Sequence, residues 1–225
     1  WSEWGAWASQ CVERDGKFYW YVCCVDSATH DMAIGVAVAD SPTGPFVDAL
    51  GHPLVSGPGG YIDPTVFVES NGDAWLYWGN PGLWCVKLNR DMTSYDKGFE
   101  IAGGHAEKVA DGVWKFIQTE ESFGGPEKPG EGTSPSDYTD LYEEGPWFFE
   151  RDGRYYLAYA AGGVPEHISY SVSDKPYGPW KYMGKIMPFQ EMNSFTNHCG
   201  IADFRGKHYF VYHCGLLPGG SGFNR

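Results

Sequence analysis

One strand–turn–strand unit recurs four times along the chain, and no other feature of the sequence restricts the fold as strongly. ERDGKFYWYV (13–22), ESNGDAWLYW (69–78), ERDGRYYLAY (150–159) and DFRGKHYFVY (203–212) align on a turn glycine. Three of them carry Asp-Gly or Asn-Gly, the dipeptides that accept the positive φ angles of a two-residue hairpin turn. An aromatic and aliphatic run suited to a strand follows each turn. Another apolar run (QCVE, TVFVE, WFFE, GIADF) precedes it. Two units continue into a further strand pair with a shared close: IGVAVADSPTGPF (34–46) matches ISYSVSDKPYGPW (168–180), and LWCVKLNRDMTSYD (83–96) fills the slot between them more loosely. Four strands in a unit of about 40–55 residues is the pattern of propeller blades, whose stacked faces bury a common core.

The anchor glycines Gly16, Gly72, Gly153 and Gly206 are spaced by 56, 81 and 53 residues. The wide middle gap holds 99–142, rich in Gly, Pro, Glu and Ser, which reads as an inserted loop or rim excursion with a short strand near Val113–Ile117. The expectation is an all-β chain, 1–225, forming a single propeller domain of about four blades. Both ends read as truncated, since the last unit stops soon after Cys214 and the first begins abruptly in a Trp-rich segment.

Composition narrows the partners. Sixteen basic and 29 acidic residues give a formal net charge of −13, a surface that repels phosphate backbones and argues against nucleic acid. No run approaches the ~18 apolar residues of a membrane span, so no membrane partner is expected. The chain opens at Trp1 with no initiator Met and no basic or apolar leader pattern. The six cysteines (Cys11, Cys23, Cys24, Cys85, Cys199, Cys214) form no CxxC pair or zinc spacing and read as buried free thiols, with Cys23 and Cys24 on opposite faces of a strand.

The repeat also predicts a site. In a propeller the innermost strands line a central channel, so residues equally far before the turn glycine converge at one mouth. Nine positions before each anchor stand Trp7, Asp63, Glu144 and Asn197, with His198 beside the last. Taken singly, each has a plain structural reading. Asp63 before Pro64 makes a strand-entry turn, Glu144 is a solvated acid ahead of Gly-Pro, His198 is a satisfied structural histidine, and Trp7 packs. Their shared register favours a ligand site instead. Two acids across a channel suit glycoside hydrolysis, in which one carboxylic acid protonates the leaving oxygen and a carboxylate activates water or attacks the sugar. Trp4, Trp7 and Trp78 are placed to stack on sugar faces.

At this point IDPTVF (62–67), EGPWFF (144–149), IGVAVADSPTGPF (34–46), TNHCGI (196–201) and GFNR (222–225) resemble glycoside hydrolase family 43. The likeness runs over nearly the whole chain, in the family's motif order. It implies a five-bladed β-propeller, here with the first blade and closing strand missing. It implies inverting hydrolysis of arabinose- and xylose-containing plant polysaccharide, with AWASQ (6–10) and the TNH motif closest to the arabinoxylan-directed arabinofuranosidase and xylosidase branch. By the resemblance, Glu144 is the general acid and Asp63 the carboxylate that tunes its pKa. Arg225 matches an arginine that reaches the substrate and Trp7 a subsite aromatic; with Asn197 and His198 from the shared register and Trp78 from the mouth, they are the expected substrate-binding residues. No cofactor is required, although His198 matches a histidine that in some members contacts a structural calcium or its waters.

The family's general base is an Asp of an Asp-Pro pair on the first blade, and the one such pair here is Asp63-Pro64. The base is therefore absent, and the polypeptide alone is expected to be nearly inactive unless self-association completes the missing blade. A secreted or periplasmic setting is favoured over a cytoplasmic one. The competing reading is a non-catalytic carbohydrate-binding propeller using the same channel. A WD- or kelch-type interaction propeller lacks its recurrent Trp-Asp ending here. A β-fructosidase-like enzyme would show Arg-Asp-Pro and Glu-Cys in place of Ile-Asp-Pro and Glu-Gly-Pro.

Overall fold

Three of the four repeated units close with the same turn. Strands β1 (Ser9–Arg14) and β2 (Lys17–Val25) pair antiparallel with Arg14 opposite Lys17. The two residues between them, Asp15 and Gly16, have φ of 52° and 78°. The same register and signs recur at Asp152 and Gly153 between β11 (Tyr142–Arg151) and β12 (Arg154–Ala161). They recur again at Arg205 and Gly206 between β15 (Cys199–Phe204) and β16 (Lys207–Tyr212). Positive φ at both central residues gives the twist that keeps a tight hairpin paired. The Glu that opens each ERDG segment closes its own turn: Gly16 N–H donates to Glu13 Oε1 at 2.7 Å, and Gly153 N–H to Glu150 Oε1 at 2.6 Å.

The Asn-Gly unit departs from expectation. Strands β6 (Thr65–Val68) and β7 (Ala74–Trp78) pair with Val68 opposite Ala74, leaving the five residues 69–73 in the loop. Local polar groups favour the wider form. Asn71 Oδ1 accepts from Asp73 N–H at 2.7 Å, Glu69 N–H donates to Asp73 O at 2.8 Å, and Glu69 Oε1 takes the Trp75 indole N–H at 2.5 Å. An Asx turn thus replaces the two-residue reversal.

The structure is a computed structural model that describes residues 1–125, 140–163, 166–188, 194, 196–216 and 218–220. It divides into two units, Trp1–Phe116 and Ile117–Arg225. In the first unit one sheet runs β1-β2-β3-β4, with β3 at Met32–Ala39, β4 at Val47–Asp48 and β5 (Val55–Ser56) also on β3. A second sheet runs β6-β7-β8-β10-β9, where β8 is Trp84–Leu88, β9 is Ala106–Ala110 and β10 is Val113–Phe116. The supposed excursion therefore supplies two sheet strands. The strand expected near Val113–Ile117 is β10, and its partner β9 escaped notice because four of its five residues are exposed. In the second unit a short helix α1 (Glu120–Phe123) precedes a sheet of order β11-β12-β13-β14, with β13 at His167–Ser173 and β14 at Lys181–Met187, and the β15–β16 hairpin follows. The matching Asp-x-Pro-x-Gly-Pro closes are the connections from third to fourth strand, 40–46 and 174–180.

Alternation along β2 buries Tyr19, Tyr21, Cys23 and Val25 on one face. Tyr21 keeps its hydroxyl satisfied by donating to Met92 O at 2.6 Å. Strand β7, AWLYW, is buried at all five positions, as expected where both sheet faces are covered. All six cysteines are free thiols, and Cys23 and Cys24 do face opposite sides, one buried and one half-buried. Cys11 is exposed, against expectation, because it stands on the outward face of β1, an edge strand of its sheet. Among the described residues no helix is long and apolar enough to cross a membrane.

Candidate active site

In the first unit, Trp7 and Asp63 each stand two residues before their strands, β1 and β6. The structure brings both beside one side chain: burial raises the Cys23 thiol pKa, the nearby backbones of Asp63 and Trp7 oppose that rise, and its Sγ donates to Ala8 O at 3.8 Å. Asp63 is buried with φ of 57°, a left-handed conformation for a non-glycine residue. Such strain persists only where the surroundings over-determine it, as at ligand sites. Trp7 is 54% exposed and Trp4 64%, so their indole faces are open to a ligand. Trp78 is not. It is fully buried in the core of this unit, packed on Tyr61 at 5.4 Å between ring centroids. The expectation that it stacks on sugar is corrected, since β7 lies within its sheet and every one of its side chains is covered.

The second unit assembles the other register positions. Glu144 lies in β11 where the pairing with β12 shifts register on both of its sides. Irregularities of this kind re-aim a side chain and cluster near active sites. Its Oε1 is 3.2 Å from His198 Nε2, and the His198 ring stacks on His213 at 5.3 Å and 17°. Asn197 is buried. Its backbone N–H donates to Glu166 Oε2 at 2.5 Å, while its side-chain Oδ1 has no hydrogen-bond partner among the described residues.

Gly145 shows why this corner needs glycine. Its φ is 58°, and a Cβ there would come within 2.8 Å of the His198 ring. Gly153 has a similar φ of 75° but nothing within 4 Å of its absent Cβ. Both alanine variants carry the left-handed penalty, so their difference isolates the contact. Gly145→Ala is expected to lose about 1–3 kcal/mol more than Gly153→Ala, measured by urea unfolding of the two variants. Equal losses would show that His198 yields freely.

Sequence reasoning missed Glu166. It is buried, and burial together with the neighbouring Glu144 pushes its pKa up to about 9, so it carries a proton near neutral pH. Burial and the proximity of Glu144 also raise Glu143. Counting back from turn glycines samples only the first strand of each unit, whereas Glu166 sits immediately before β13, a third strand. Its signal was an acid at the mouth of an apolar strand, PEHISY (165–170).

Comparison with known proteins decides the family. The description of glycosyl hydrolases family 43 matches residues 1–225. The chain belongs to this family. A β-xylosidase of Xylanibacter ruminicola is 31% identical over 223 residues, 95% of this chain and 66% of the relative. An α-L-arabinofuranosidase of Clostridium thermocellum superposes with a TM-score of 0.67 at 30% identity, over 94% of this chain and 62% of that one. A family 43 β-xylosidase/α-arabinofuranosidase from a compost metagenome, solved with xylotriose in a calcium-free form, gives 0.75 at 28% identity, over 100% of this chain and 69% of that one. The all-β propeller class of family 43 is thereby shown. The chain spans less than two thirds of the length of the first two relatives.

Of the remaining family positions, Arg225 and the GFNR motif lie outside the described residues. In the second unit, the Glu144 carboxylate and the stacked His213 imidazole are among the groups beside His198.

Proposed function

We propose that the protein carrying this chain is a glycoside hydrolase that removes xylose or arabinose from arabinoxylan-type plant polysaccharide with inversion. The observation that supports it most is the setting of Glu144, at an irregular point in β11, 3.2 Å from His198 Nε2 and beside Glu143 and Glu166, whose carboxyl pKa values are both raised. A general acid must carry its proton near neutral pH, and closely spaced buried carboxyl groups cannot all ionise, so the cluster retains protons at that pH. Glu144 in this reading protonates the departing glycosidic oxygen. Asp63 raises the acid's pKa and orients the sugar, as the family pattern implies. Trp7 offers an open indole for stacking, and the buried Asn197 Oδ1 offers an acceptor for a sugar hydroxyl. Arg225 is assigned to substrate by resemblance alone. No organic cofactor takes part, and no step is assigned to calcium.

The names of the relatives support the substrate class: a β-xylosidase, an α-L-arabinofuranosidase and a structure holding xylotriose. The test is proton NMR of the full-length protein acting on arabinoxylan and on xylo-oligosaccharides. Release of pentose whose first-formed anomer is inverted is the expected result. A retained anomer would rule out the inverting mechanism. Saturable sugar binding with no pentose release would favour the carbohydrate-binding propeller instead.

A further inference from the structure

Glu166 has no place in the mechanism above, yet it joins two of its parts. Its Oε2 accepts the Asn197 backbone N–H at 2.5 Å, and the same carboxyl group is hydrogen-bonded to Glu144. Asn197 is peptide-bonded to His198, whose Nε2 returns to Glu144 Oε1 at 3.2 Å. The four residues therefore form a closed ring of contacts, Glu144–Glu166–Asn197–His198. A carboxyl group gripped from two linked sides cannot change rotamer without breaking the ring. Glu166 is only 3% exposed, so water does not readily substitute for it. A carboxyl pair hydrogen-bonds only while at least one member carries a proton, and burial of Glu166 beside Glu144 favours that state.

We propose that Glu166 is the positioning residue of the acid, fixing the Glu144 carboxyl against the leaving oxygen through its paired grip on Glu144 and the Asn197 backbone. This rests on the reading of Glu144 as general acid. Glu166 itself touches no reacting atom. Its contribution is orientation, and misplacing a catalytic group by about 1 Å costs on the order of 10²-fold in rate.

The test uses the full-length protein with three variants and two substrates. Glu166→Gln keeps both contacts, since the amide oxygen still accepts from Asn197 and the amide nitrogen still donates to Glu144. Glu166→Met fills the same buried volume with neither contact, and Glu144→Gln removes the acid. One substrate is a xylo-oligosaccharide, whose leaving sugar needs a proton. The other is a nitrophenyl glycoside, whose leaving phenolate hardly does. Glu166→Met is expected to lower kcat on the oligosaccharide on the order of 10²-fold, with KM little changed. On the nitrophenyl glycoside it should stay within about fivefold, because little acid assistance is required there. Glu166→Gln should retain most activity on both.

Equal losses on the two substrates would mark Glu166 as plain scaffold and overturn the proposal. So would a Glu166→Gln variant that folds but is as impaired as Glu166→Met. Should Glu166→Met fail to fold, the Gln variant still decides, since its retention of activity on the oligosaccharide is required. If Glu144→Gln itself loses equally on both substrates, the acid assignment fails and the Glu166 role falls with it. If Glu144→Gln is selective and Glu166→Met is not, only the positioning role is lost.

Discussion

Glu144→Gln is expected to lower kcat on xylo-oligosaccharide or arabinoxylan on the order of 10²–10⁴-fold, the range in which a positioned general acid contributes. The amide matches the carboxyl in size and still hydrogen-bonds His198 and Glu166, whose contacts hold the side chain in place. What it lacks is a transferable proton. Sugar binding should persist, with KM or Kd within about threefold, because the interaction removed is realised only in the transition state. Steady-state kinetics with isothermal titration on the variant separates the two quantities. An unaltered kcat would remove Glu144 from its role, and a large rise in Kd with little change in kcat would recast it as a binding residue.

Trp78→Ala should be the most damaging core substitution in the first unit, at about 3–5 kcal/mol. The indole is fully buried against Tyr61 and surrounded by β2, β6 and β8 side chains of one core cluster, so the cavity left behind has little means of collapsing. Against a total stability of roughly 5–15 kcal/mol, that loss threatens the fold. Trp78→Phe should recover much of it, since an aromatic ring is retained and an indole N–H with no partner among the described residues is removed. Urea midpoints for the two variants measure this, with sugar affinity of the Phe variant as the control. A Trp78→Ala protein of normal stability but weakened sugar binding would restore the stacking role that its burial excludes.

The comparison between sequence and structure turns on what each signal samples. The Asp-Gly hairpins were legible because their chemistry is local: two residues with positive φ and a Glu that reaches its own turn. The Asn-Gly loop was not, because Glu69 is drawn to Trp75 by a contact that the dipeptide cannot encode. Counting back from the glycines found Trp7, Asp63, Glu144 and Asn197, and the structure groups the first pair around Cys23 and the second around Glu166. Glu166 itself escaped, since it enters from a third strand with no anchor of its own. Trp78 was misjudged by residue type alone. The unbroken apolar run AWLYW already signalled a strand covered on both faces. Strand β9 was hidden for the opposite reason, as an exposed edge strand carries almost no apolar pattern.

Glu144 as the general acid is the claim on which the rest stands, and a leaving-group series tests it most directly. kcat/KM would be measured for the full-length wild type and Glu144→Gln on aryl glycosides spanning good to poor phenolate leaving groups, with a xylo-oligosaccharide at the far end. The account predicts that the two proteins nearly coincide for the best leaving group and diverge by on the order of 10²-fold or more for the poorest. Parallel lines across the whole series, with the variant equally impaired at every leaving group, would contradict it.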